Sequence, residues 1–135
     1  MLQSGLPEQV ANEENLARFL THGSQFNSKG VKPTVFLPEP KAQETSVFRH
    51  GSEPRDDLWA IGNEHAAKGR TIHGAAIIRA GEVRAAGLAV IPDEPPLRHA
   101  AIRNWPWIGN DPEMLKAERK ELAIMLASNA QLLLR

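Results

Sequence analysis

The sequence predicts one α+β domain in which a mixed or mainly antiparallel sheet packs against a long C-terminal helix. Three observations carry this. Short β-branched and aromatic runs are interspersed with helical stretches, without a repeated strand–helix–strand unit. Asp111-Pro112 opens a long apolar-rich segment, where the acid can cap a helix and the proline can take its first position. The chain has 135 residues, 41% hydrophobic and 24% charged, which suits a single domain able to bury its own core.

Residues 1–11 are polar and carry Gly5 and Pro7, so they read as a flexible N-terminal arm before a domain spanning 12–135. Asn12 is a helix cap, with Glu13 and Glu14 in the first turn, where the helix dipole favours anions. Leu16, Phe19 and Leu20 then fall at helical spacing, and Gly23 stops the helix. Residues 24–33 form a loop. "TVFLP" and "TSVFRHG" are two short strands separated by the polar "EPKAQE", with Pro38 ending the first.

Ser52 is placed to cap a helix over "EPRDDLWAIGNEHAAKG". Leu58, Ile61 and His65 share a face of it, with Trp59 beside them. Gly62 weakens this helix and Gly69 ends it. "TIHGAAII" is apolar enough for a central strand, "AGEVRAAG" makes about two helical turns closed by Gly87, and "LAVIP" is a further strand. Residues 92–96 are a proline-rich turn, and "RHAAIRNW" is another strand. Met114, Leu115, Leu122, Ile124, Met125, Leu126 and Ala130 give the last helix an apolar surface wider than one core contact needs. "QLLLR" is either its last turn or a final strand.

Several functional classes drop out. Sixteen basic and sixteen acidic residues cancel, so no overall basic field points to nucleic acid. There is no cysteine, which excludes disulfides, thiol catalysis and thiolate zinc sites. No apolar run approaches the roughly eighteen residues of a membrane span. "MLQSGLPEQV" lacks the pattern of a secretory signal, so a cytoplasmic protein without a membrane role is expected. "GEVRAAG" lacks the lysine and hydroxyl of a phosphate loop, and no Gly-x-Ser-x-Gly elbow occurs. His22, His50, His65, His73 and His99 form no HExxH pair, so a metal site would need distant segments. No metal, cofactor or catalytic residue is expected. "IHGAAIIR" and "RHAAIRNW" each set a histidine ahead of a small-residue and isoleucine run, an order that resembles the two-histidine phosphoesterases. The hydroxyl residues which that family needs are replaced by Ala75 and Ala101, so the pattern fails.

The candidate binding residues are Arg49, His50, Arg98, His99, Arg103, Trp105 and Trp107. Arg49-His50 and Arg98-His99 could present a cation and an imidazole at strand ends to a phosphate or carboxylate. The plainer reading pairs the arginines with Glu53, Asp56, Asp57, Asp93 or Glu94. Trp105 ends an apolar strand and is expected in the core. Trp107 lies beyond Pro106 and is expected to be exposed, as a partner hot spot or a stacking platform for a base.

The order "VKPTVFLP … ETSVFRHG … VRAAGL … PDEPP … RHA … WP", followed by an alanine-rich helix, resembles small bacterial proteins with no established activity. The resemblance covers roughly residues 15–134 and carries no catalytic residue with it. It implies a bacterial accessory protein from a mobile or defence-linked locus. "RNWPW" departs from the simpler Gly-Trp-Pro of that pattern. The resulting expectation is a non-enzymatic binding or accessory subunit, partnered by another protein or by a second copy of the chain. The alternative is a small enzyme or a nucleotide- or nucleic-acid-binding protein that uses an Arg/His cluster on one sheet face. Convergence of Arg49, His50, Arg98 and His99 on one cleft would favour the alternative.

Overall fold

The computed structural model describes residues 2–51, 53–66, 69–109 and 111–135. They form one α+β domain around a six-stranded, wholly antiparallel sheet. In chain order the elements are β1 (Asn15–Leu20), the short β2 (Phe26–Asn27) and β3 (Gly30–Val31), β4 (Thr45–His50), α1 (Arg55–His65), β5 (Gly74–Arg79), α2 (Ala80–Ala85), β6 (Ala89–Pro92), β7 (His99–Arg103), α3 (Pro112–Asn129) and β8 (Gln131–Leu134). The strand order in the large sheet is β6-β7-β4-β1-β5-β8, and β2 pairs only with β3.

The helix expected from Asn12 is strand β1. Leu16 and Leu20 lie four residues apart, a spacing that puts two side chains on one side of a helix and equally of a strand. β1 is bonded to β4 on one edge and β5 on the other, so its backbone groups are satisfied in the ladder. Leu16 and Leu20 enter the core on one face of the sheet, and Ala17 enters the core on the other. Glu14 instead closes a turn: its carboxylate accepts from the Ala11 amide at 2.7 Å.

"TVFLP" is likewise not a strand. Pro33–Phe36 is a single 3-10 turn that seats Val35 and Phe36 in the core against α3. "QLLLR" resolves as strand β8, which pairs with β5 after α3 ends at Asn129. β4, β5, β6, β7 and α2 fall where their sequence patterns place them, whereas the stretch 24–33 expected as a loop holds the short paired strands β2 and β3. Asp111 caps α3 as expected, with Oδ1 accepting from the amides of Glu113 and Met114 at 2.9 and 3.1 Å. The cap expected at Ser52 lies outside the described residues, and α1 starts after Pro54.

Two cores sandwich the sheet. One holds Leu16, Leu20, Val47, Ile78 and Ile102 with Phe36, Ala123 and Leu126. The other packs Leu58 and Trp59 of α1 with Ile72 onto Ala17 and Ala75. α1 approaches β1 closely at Gly62, where a Cβ would stand 2.8 Å from the Phe19 ring. The glycine read as a weak point is therefore the contact that lets this helix lie on the sheet.

Residues 2–11 are laid against the domain. Val10 is 3% exposed, and its carbonyl accepts from Arg84 Nη2 at 2.6 Å. The Pro7 carbonyl accepts from Arg49 Nη1 at 2.7 Å, and the Ser4 amide donates to Glu94 Oε1 at 2.9 Å. Among the described residues, no helix is long and apolar enough to cross a membrane.

Candidate functional site

β1 and β4 pair only from Asn15↔His50 to Ala17↔Phe48, and beyond that point no register pairs are formed between them. Arg18 stands at this opening. Its Nε donates to the Val35 carbonyl at 3.0 Å and its Nη1 to the Ser46 carbonyl at 2.9 Å. Burial lowers the Arg18 guanidinium from its ordinary value, but a guanidinium remains a cation in a protein. The result is a cleft of about 620 Å³ on the α1 side of the sheet. Its walls include Arg18, Arg70, His22, His65 and His99, with Ser46, Phe19 and Phe48. The described residues lining it include no carboxylate.

Side-chain alternation builds its floor. Ser46 and Phe48 share one face of β4, and the β4–β7 register sets Phe48 opposite His99 and Ser46 opposite Ala101. His99 therefore reaches Ser46 as a diagonal neighbour across the two strands, over the small Ala101. The Ser46 Oγ to His99 Nε2 distance is 2.6 Å. On its other side, His99 Nδ1 lies 2.9 Å from the Asp93 carbonyl oxygen. A carbonyl can only accept, so Nδ1 carries a proton. In the neutral ring Nε2 is then the acceptor, and Ser46 donates. The Asp93 carboxylate adds a contact at 3.5 Å from Nδ1. Phe48 anchors the group: His65 stacks on it at 5.2 Å, His99 meets it edge-on at 5.4 Å, and Phe19 packs at 5.5 Å.

Arg49, His50, Arg98 and His99, whose convergence would have favoured the alternative reading, do not share one cleft: only His99 of the four lines it. Arg49 belongs to the opposite face of β4 and is 1% exposed. It grips Glu14 with Nε and Nη2 at 2.9 and 2.8 Å. Burial opposes ionisation of Glu14. The Arg49 hydrogen bonds, the Ala11 amide and the charges of Arg49 and Arg98 outweigh it and hold the carboxyl below its usual range. His50 and Arg98 share Glu53, at 2.8 and 2.9 Å. Glu53 is also held low, since its bonds to His50 and to backbone amides and the Arg98 charge overcome the effect of burial. Arg103 is paired with Glu44 at 3.3 Å. The plainer reading thus holds for Arg98, which takes Glu53; the partner of Arg49 is Glu14, and Arg103 pairs with Glu44 and, at 3.8 Å, with Asp93.

Trp105 is 5% exposed and donates from Nε1 to the Ile102 carbonyl at 3.1 Å, so it is the core tryptophan expected. Trp107 was expected to be exposed and is half-buried. The Arg119 guanidinium covers its ring at 4.0 Å, and its Nε1 is buried without an acceptor among the described residues. It lines a second groove, of about 550 Å³, beside Pro33, Leu37, Pro38, Lys116, Arg119 and Lys120.

Arg18, Ser46, His65 and Arg70 were not among the expected site residues. The one local signal was Arg18, a charge inside the apolar run "LARFL". Ser46 has no such signal, because its role depends on β4–β7 register. Comparison with protein-family models, curated proteins and solved structures returns no match.

Proposed function

We propose that the protein binds a small anionic ligand, bearing a phosphate or a carboxylate, in the cleft beside His99. The observation that supports this reading is charge composition: two arginines and three histidines line one cavity together with no described carboxylate. Guanidinium groups match the geometry of both oxyanions. Phe48 and Phe19 supply apolar surface for the remainder of such a ligand. The reading keeps the idea of an Arg/His cluster on one sheet face, with a different set of arginines.

Calorimetric titration with inorganic phosphate, a nucleoside monophosphate and a dicarboxylate tests it. Arg70 is exposed and makes no hydrogen bond or ion pair among the described residues, so Arg70→Ala spares the fold. At least one ligand is expected to bind, and Arg70→Ala is expected to weaken it roughly tenfold or more, the value of a charged hydrogen bond. Absence of binding by all three, or an affinity indifferent to Arg70, would sink the reading.

A second reading, the accessory subunit, draws on the groove beside Trp107. Its apolar floor is rimmed by Lys32, Lys116, Arg119 and Lys120, which suits an acidic, apolar segment of a partner protein. Charge reversal at Lys116 and Lys120 should abolish capture of such a partner while leaving anion binding in the cleft intact. Undiminished capture would remove this reading.

A further inference from the structure

We propose that Ser46 is a covalent nucleophile and that the protein hydrolyses small carboxylic esters whose acyl part carries an anionic group. The substrate class rests on the anion-binding reading of the cleft. The nucleophile rests on separate geometry, the chain of contacts from Ser46 through His99 to Asp93.

A serine hydroxyl is a weak nucleophile unless a base takes its proton, and the base must itself be held in the right tautomer. Both conditions are met here. Ser46 Oγ is 2.6 Å from His99 Nε2. The Asp93 carbonyl holds the proton on His99 Nδ1 at 2.9 Å, which leaves the Nε2 lone pair facing Ser46. The Asp93 carboxylate, 3.5 Å from the same nitrogen, stabilises the imidazolium that forms when Nε2 accepts the proton. Ser46 and His99 both line the cleft, so a bound ester can reach them. Arg18 bonds the carbonyl of Ser46 itself, and its Nη2 has no acceptor among the described residues. That places a half-buried cation on the backbone of the nucleophile's own residue, on the cleft wall where negative charge would develop on a substrate oxygen.

The steps balance with water as the only co-reactant. Ser46 Oγ attacks the ester carbon, its proton passes to His99 Nε2, and the carbonyl electron pair moves onto oxygen beside Arg18. The tetrahedral species collapses, the carbon–alkoxide bond breaks, and the departing alkoxide takes the proton from His99. Water then attacks the acyl carbon and gives its proton to Nε2. The bond to Ser46 breaks, Oγ regains that proton, and the acid leaves.

Diisopropyl fluorophosphate, which is uncharged, tests the nucleophile apart from any preference for anions. Intact mass and peptide mapping are expected to show a single adduct on Ser46, formed with loss of fluoride and absent from Ser46→Ala. His99→Gln should slow labelling by about a hundredfold or more, the usual contribution of a positioned base. The chain has no cysteine, so Ser46→Cys introduces a single thiol. Its alkylation by iodoacetamide should be faster with His99 present than in the Ser46→Cys, His99→Gln double variant. An adduct elsewhere, no adduct, or alkylation indifferent to His99 would overturn the proposal and leave the Ser46–His99 bond as a tie between β4 and β7. The para-nitrophenyl monoester of succinate should be hydrolysed with a higher kcat/KM than para-nitrophenyl acetate, and inorganic phosphate should slow labelling. Labelling that phosphate does not slow, with no preference for the anionic ester, would discard the anionic substrate while retaining the nucleophile. Anion binding without labelling would discard the nucleophile alone.

Discussion

Arg49 holds Glu14 with two nitrogens on two oxygens, at 2.9 and 2.8 Å, and the arginine is 1% exposed while the glutamate side chain is 23% exposed. The pair ties β4 to the turn before β1. The Glu14 carboxyl is held below its ordinary value of 4.5, so the folded state binds this proton less readily than the unfolded chain. Stability from the pair is therefore present above the unfolded value and is lost as pH falls through the lower folded one. Melting temperature should fall as pH drops below about 4.5, and Glu53, shifted in the same direction, adds to this loss. Glu14→Gln should cost on the order of 3 kcal/mol at neutral pH, because it leaves a buried cation with only neutral partners. The variant should also show a shallower fall of melting temperature in acid. An equal fall in both proteins would mean that the pair titrates alike in the folded and unfolded chains.

A chain beginning at Asn12 should be clearly less stable. It loses the buried Val10 and the Pro7 carbonyl that accepts from Arg49. Burial of one valine is worth about 1.5–3 kcal/mol. At this chain length that corresponds to a drop of roughly five to ten degrees by calorimetry. A change within one or two degrees, the effect of about 0.5 kcal/mol or less, would show that the arm detaches at little cost.

Gly62→Ala should destabilise the fold although alanine is the better helix former. A Cβ would meet Phe19 ring atoms at 2.8 and 2.9 Å. Overpacking typically costs about 1–3 kcal/mol, against roughly 1 kcal/mol gained in helix propensity. Adding Phe19→Leu should recover part of the loss. A stabilised single variant would show that the ring turns aside freely.

The two tryptophans should respond differently. Trp105→Ala should cost about 3–5 kcal/mol through the cavity it leaves. Trp107→Phe should be neutral or raise stability by about 1 kcal/mol, because it removes a buried N–H that has no acceptor among the described residues. Chemical denaturation of both variants decides this, and a loss near that of Trp105→Ala would assign Trp107 a packing role equal to its neighbour's.

Local chemistry made much of the architecture legible before any contact was known. Asp111-Pro112 could open only one kind of element, and α3 starts there. "TSVFRH" and "LAVIP" carry β-branched residues over strand lengths, and both are strands. β1 was the main loss. Its Leu16–Leu20 spacing fits either period, and a strand covered on both faces needs no alternation of polar and apolar residues. Trp105 was legible from its place at the end of an apolar run, whereas the cover over Trp107 comes from Arg119, twelve positions onward in α3.

Composition and local pattern in the sequence thus determined a single α+β domain, the cap of its last helix, and the absence of thiol chemistry. Only the tertiary structure decided which charges meet. Arg49 and Glu14 are 35 positions apart, and Ser46 and His99 are 53 apart. Their contacts depend on which strands lie side by side and in what register. A single-residue slip of β7 against β4 would turn His99 to the other face of the sheet and dissolve the site. Register is set by the two cores on either side of the sheet together, and no local stretch of sequence contains that information.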